Sequence, residues 1–223
     1  MLKIRSKYIL KKIIENIKEN KLLDIIKYNK IFQNKFNISI QNYIEYNQIE
    51  FQLKPIEFSR NDKFINIDIM NQPYIHIYSN NDKKELLANK KIILDFEVKS
   101  LKGLFKNCES LKEINIIKCN RKDIIDTSEM FYGCKNLDKL NIINLKTDNV
   151  KDMSYMFSGC LSLTEINVLN FNTSNVTNMQ NMFEQCSKLK ELNLCNFNTS
   201  NVIYMNDMFY ECSSLRTLYF DKY

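Results

Sequence analysis

Cys108, Cys134, Cys160, Cys186 and Cys212 follow one another at intervals of 26 residues. The interval recurs at every apolar column. Three residues after each cysteine stand Leu111, Leu137, Leu163, Leu189 and Leu215; three before stand Phe105, Phe131, Phe157, Phe183 and Phe209. Five copies of one pattern constrain the chain more than any single motif does. One such unit cannot bury its apolar face alone, whereas stacked units can, so residues 101–223 are expected to be a stack of repeats.

The segment Leu189-Lys-Glu-Leu192-Asn-Leu194 has the L-x-x-L-x-L pattern, and its end alternates apolar, polar, apolar, as a short half-buried strand does. Asn198-Thr199-Ser200-Asn201 then reads as a turn, with the Thr-Ser-Asn clusters at 173–175 and 199–201 as local caps. After it, Val202, Met205, Met208, Phe209 and Cys212 recur as one face of a helical segment. Each unit is therefore expected to run strand, turn, helical return. The expected fold is α+β: a leucine-rich-repeat solenoid of about four to five repeats, with short parallel strands.

Two segments precede it. Residues 1–48 are expected to be a helical, basic segment, with stripes such as Ile9, Ile13, Ile17 and Leu22, Ile25, Ile26. Residues 49–100 are expected to form a small β-rich cap over the first apolar edge, from strands at 64–69, 74–78 and 91–98. His76, alternating with Ile75 and Ile77, reads as an exposed or half-exposed strand residue.

The strings MFSGCLSLTEINVLNFNTSNVTNM (156–179) and MFEQCSKLKELNLCNFNTSNVIYM (182–205) resemble the BspA-like leucine-rich repeats, and the resemblance covers about residues 101–223. It implies a surface adhesin that binds host or matrix proteins. The first unit departs from the pattern: Arg121-Lys-Asp-Ile124 replaces T-S-N-V, as a capping repeat would. A second, short resemblance is to the F-box, in Tyr8–Ile17 and Leu22–Phe32, without that family's opening Leu-Pro. It implies a substrate adaptor of a ubiquitin ligase.

The net charge of +6 lies entirely in the first 100 residues, and residues 1–35 hold ten basic side chains against Glu15, Glu19 and Asp24. Contact of those Lys and Arg residues with an anionic surface follows as an expectation. No stretch reaches the roughly 18 apolar residues of a membrane span, and the N-terminus lacks an apolar signal core. A cytoplasmic location is therefore expected, or a surface location if the chain is a fragment. Of the seven cysteines no two form C-x-x-C, and His76 is the only histidine, so metal, cofactor and His-based acid–base chemistry are not expected. The ladder cysteines read as structural thiols, and Cys195 as a core hydrophobe in the column of Ile117, Ile143 and Leu169.

With no nucleophile, phosphate-loop or metalloprotease motif, the reading is a non-enzymatic, monomeric interaction module with a protein partner and no small-molecule substrate. The side chains left to contact a partner are the outward ones of the strands: Glu113, Asn115, Lys139, Asn141, Glu165, Asn167, Glu191, Asn193 and Tyr219.

Overall fold

A computed structural model describes residues 48–55, 75–78, 90–94 and 98–221. The chain divides into two units, Met1–Asn47 and Gln48–Tyr223, and every described residue belongs to the second. The expected N-terminal helices, the F-box-like segments, the basic cluster of residues 1–35 and the strand at 64–69 lie outside the described residues.

Among the described residues there are seven strands: β1 Ile49–Pro55, β2 Ile75–Tyr78, β3 Lys90–Leu94, β4 Leu111–Cys119, β5 Lys139–Asn141, β6 Glu191–Asn193 and β7 Thr217–Tyr219. They form one five-stranded sheet, in the order β2-β3-β1-β4-β5, and one pair, β6-β7. β1 pairs antiparallel with β3 on one side and with β4 on the other, with irregularities at Glu50/Phe51 and Lys54/Pro55. Its alternation decides this placement: Ile49, Phe51 and Leu53 are wholly buried and close the first apolar edge of the repeats. Phe51 meets Phe105 edge to face at 5.3 Å. β4–β5 and β6–β7 are parallel, and each pairs residues one period apart: Ile114 with Leu140, Leu192 with Leu218.

The α+β solenoid with helical returns is not what forms, because no described residue is helical. The segments taken for helices are coils whose backbone bonds alternate. In the coil carrying Cys160, the N–H groups of Met156, Ser158 and Cys160 donate to carbonyls three residues back. Those of Met153, Tyr155, Phe157 and Gly159 instead donate 25 residues forward, to Asn178, Gln180, Met182 and Glu184, at 2.8–2.9 Å. A helix would need every N–H for its own i−4 carbonyl. Here half of them leave the coil and bind it to the next one. The same four bonds join each successive pair of coils, at 2.7–3.1 Å.

The backbone turns that permit this recur with the same period. Gly103, Glu129, Tyr155, Asn181 and Asp207 have positive φ, and so do Asn107, Gly133, Gly159, Gln185 and Glu211. Two left-handed residues per unit stop a right-handed helix from propagating. The three-residue spacing of apolar side chains, which mimics a helix face, belongs to these tight turns.

Packing repeats along the stack. The rings of Phe105, Phe131, Phe157, Phe183 and Phe209 lie nearly parallel, with centroids 5.3–5.9 Å apart. Each ladder cysteine after the first donates its thiol to the carbonyl of the preceding coil's Phe: Cys134 to Phe105, Cys160 to Phe131, Cys186 to Phe157 and Cys212 to Phe183, at 2.9–3.3 Å. Burial pushes the thiols of Cys134, Cys160 and Cys186 well above their ordinary range.

The Thr-Ser-Asn clusters do more than cap local turns. Thr173 Oγ donates to the Asn198 carbonyl at 3.0 Å and accepts from the Asn198 N–H at 2.7 Å. Thr147 does the same with Asn172. Asn175 and Asn201 each donate their side-chain amide, at 2.7 Å, to a carbonyl of the coil before. Where the first unit has Arg121 in the threonine column, that side chain is buried and forks onto both carboxylate oxygens of Asp123 at 2.8 Å.

Candidate functional site

Seven of the nine outward residues fall on two separate pieces of sheet, β4–β5 and β6–β7. Glu113 and Asn115 on β4 are half-buried, and Lys139 and Asn141 on β5 are exposed. Glu165 and Asn167 are also exposed, but the third coil forms no strand there. These six line one open depression of about 500 Å³, together with Asp138, Leu140 and Ile166. Glu191, Asn193 and Tyr219 belong to the β6–β7 pair and do not line it.

The asparagine column is partly committed to folding the chain. Asn141, Asn167 and Asn193 accept the N–H of the residue two positions on, Ile143, Leu169 and Cys195, at 3.3, 3.1 and 3.0 Å. These are Asx turns, which bend the chain out of the strand. Asn115, in the longer β4, instead donates its amide to Glu113 Oε1 at 3.0 Å. In the charged column, Glu113 lies 3.9 Å from Lys54 of β1, a partly exposed pair of small energetic weight.

The sequence reading missed a third column of the same face. Ile117 is 47%, Ile143 53% and Leu169 39% exposed, and Cys195 is half-buried. Reading this column as core was wrong, because it continues the outward alternation of Glu113 and Asn115 while Ile114 and Ile116 point inward. That alternation was legible in Glu113-Ile-Asn-Ile-Ile117. The face therefore carries a charged row, an amide row and an aliphatic row, at about 4.8 Å per step along the stack.

Among the described residues no group of three or more His, Cys, Asp or Glu side chains could hold a metal ion. His76 is placed on β2, opposite Ile93 of β3. Among the described residues no helix is long and apolar enough to cross a membrane.

A ladder of 26-residue coils with a three-row outer face defines a stacked-repeat protein. Residues 99–221 match the family described as "Mycoplasma protein of unknown function, DUF285", and the chain belongs to that family. Comparison with curated proteins and with solved structures gives no match.

Proposed function

We propose that the protein is a non-enzymatic binding module and that the three-row face of its first three coils docks a protein partner. The observation that carries this is the exposed aliphatic row Ile117, Ile143 and Leu169, set beside the amide row Asn115, Asn141, Asn167 and the charged row Glu113, Lys139, Glu165. A patch of aliphatic side chains rimmed by polar ones is the usual composition of a recognition surface. Open depressions of mixed polarity suit a protein surface better than an enclosed substrate.

A photo-crosslinking residue at position 143 tests this in cells. One at Lys151, exposed in another column of the same coils, is the control. The expected result is a discrete protein adduct from 143, absent from 151 and lost when Leu169→Asp is added. Equal adducts from both positions would discard the reading.

The resemblance of residues 156–179 and 182–205 to BspA-like repeats favours a second reading, a surface protein that binds host or matrix proteins. Labelling of intact cells with a membrane-impermeant amine reagent discriminates: modification of the lysines of this chain is expected only for a surface location.

A further inference from the structure

The rows of the outer face have a fixed width and a fixed step. Along β4, Glu113 and Ile117 are four residues apart, roughly 13 Å of strand. The charged row therefore borders the face on one side and the aliphatic row on the other. The open depression of about 500 Å³ lies over the charged and amide rows and is walled by residues of three successive coils, so it extends along the stack. Its floor is apolar in part. Ile114 is wholly buried, whereas Ile166 of the same column is half-buried and lines the depression together with Leu140.

The charged row carries one charge per coil, in the order minus, plus, minus at Glu113, Lys139 and Glu165. Glu113 has only the long contact with Lys54 at 3.9 Å. Among the described residues Lys139 and Glu165 have no ion-pair partner. Both side chains are exposed. The alternating order is thus left for a partner to read.

The step selects the occupant. Successive positions of each row are about 4.8 Å apart, so three of them span about 9.6 Å. An α-helix laid along the stack returns the same flank about every 3.5 residues, or about 5.3 Å, and meets the third position at about 10.5 Å. An extended segment returns the same face every second residue, about 6.7 Å, and is roughly 4 Å out of step by the third position. A helix is about 10–12 Å across, which the width between the two outer rows admits. We propose, resting on the docking face advanced above, that its protein partner presents an amphipathic α-helix laid along the stack. One flank of that helix sets aliphatic side chains on Ile117, Ile143 and Leu169. The other sets a basic, an acidic and a basic side chain against Glu113, Lys139 and Glu165.

The probe is a lactam-stapled helical peptide of roughly 15 residues, with leucines along one flank and Lys, Glu and Lys along the other. Its controls are the same helix with Glu, Lys and Glu, and an unstapled peptide that alternates leucine with polar residues. Fluorescence anisotropy of each labelled peptide is titrated with the full chain. The first helix should bind with a Kd of about 100 µM or tighter, and the charge-reversed helix at least about tenfold more weakly. Lys139→Glu combined with Glu165→Lys keeps the net charge and alters two exposed side chains; it should invert that preference. No binding of the first helix at about 1 mM, equal affinity for the two charge orders, a preference that the double exchange does not invert, or tighter binding of the alternating peptide would each overturn the helical partner. A protein adduct at position 143 in cells, obtained alongside any of these, leaves the docking face standing and removes the helix alone. Absence of that adduct removes the face itself.

Discussion

Gly159 and Gln185 are neighbours in one column of the stack, both left-handed, with φ of 73° and 56°. They predict opposite effects of adding and removing a Cβ. In Gly159→Ala the new Cβ would lie 3.3 Å from Gly133 Cα and 3.4 Å from Gly133 N. That peptide cannot retreat, because the Gly133 N–H is held by the Ser158 carbonyl at 2.8 Å. The left-handed conformation costs an L-residue about 1–2 kcal/mol, and the stiffer unfolded chain returns about 0.4–1 kcal/mol of this. With the crowding added, the net loss is about 1–2 kcal/mol, or roughly 2–8 °C in Tm for a unit of this size. Gln185→Gly runs the same terms backwards. Its exposed side chain loses one bond to Glu211 at 2.8 Å, which leaves a gain of about 0.5 kcal/mol. Far-UV circular dichroism and urea unfolding followed by tyrosine fluorescence, in a chain with 12 Tyr and no Trp, read both variants. A neutral Gly159→Ala, or a Gln185→Gly as damaging as it, would refute the argument that these turns are strained.

Three further outcomes follow from the same geometry. Thr173→Val keeps the shape but strands the Asn198 N–H and carbonyl that Thr173 serves, and should cost about 2–3 kcal/mol in urea unfolding. Because burial raises the folded-state pKa of Cys134, Cys160 and Cys186 above the ordinary 9.0, the unfolded thiols ionise first as pH rises. Their contribution is complete below pH 9 and declines above it, by up to about 1.4 kcal/mol per pH unit for each thiol. Cys160→Ala should flatten the slope of stability against pH above 9 by one thiol's share; an unchanged slope would contradict the assigned burial. In native protein a thiol reagent should modify Cys195 well before Cys134, Cys160 or Cys186, and equal rates would mean that the coils open readily.

The period, the ladder cysteines and the buried Leu and Phe columns were all legible in the sequence, because a stack imposes the same burial on every copy. What misled was the path between columns. Val202, Met205, Met208 and Cys212 have spacings that suit a helix face, yet Tyr155 and Gln185 are left-handed without being glycine, so residue type does not announce the turns in those coils. The three glycines Gly103, Gly133 and Gly159 occupy those two columns and were the available signal. β1 was overlooked although Ile49, Phe51 and Leu53 alternate, since its partners β3 and β4 are distant in sequence. Of the candidate face, the polar rows followed from strand alternation. The aliphatic row was mistaken for core because residue type was allowed to outweigh position.

The forward-pointing N–H bonds give the stack a direction, and that has a consequence for how it comes apart. Each coil is held by its two neighbours alone, so cooperativity is passed along a line of nearest-neighbour couplings. At the first coil that line is clamped by β1, a strand that pairs on both its sides. Opening the first coil requires the release of β1 as well, so its amides should be protected more than those of coils held by coils alone.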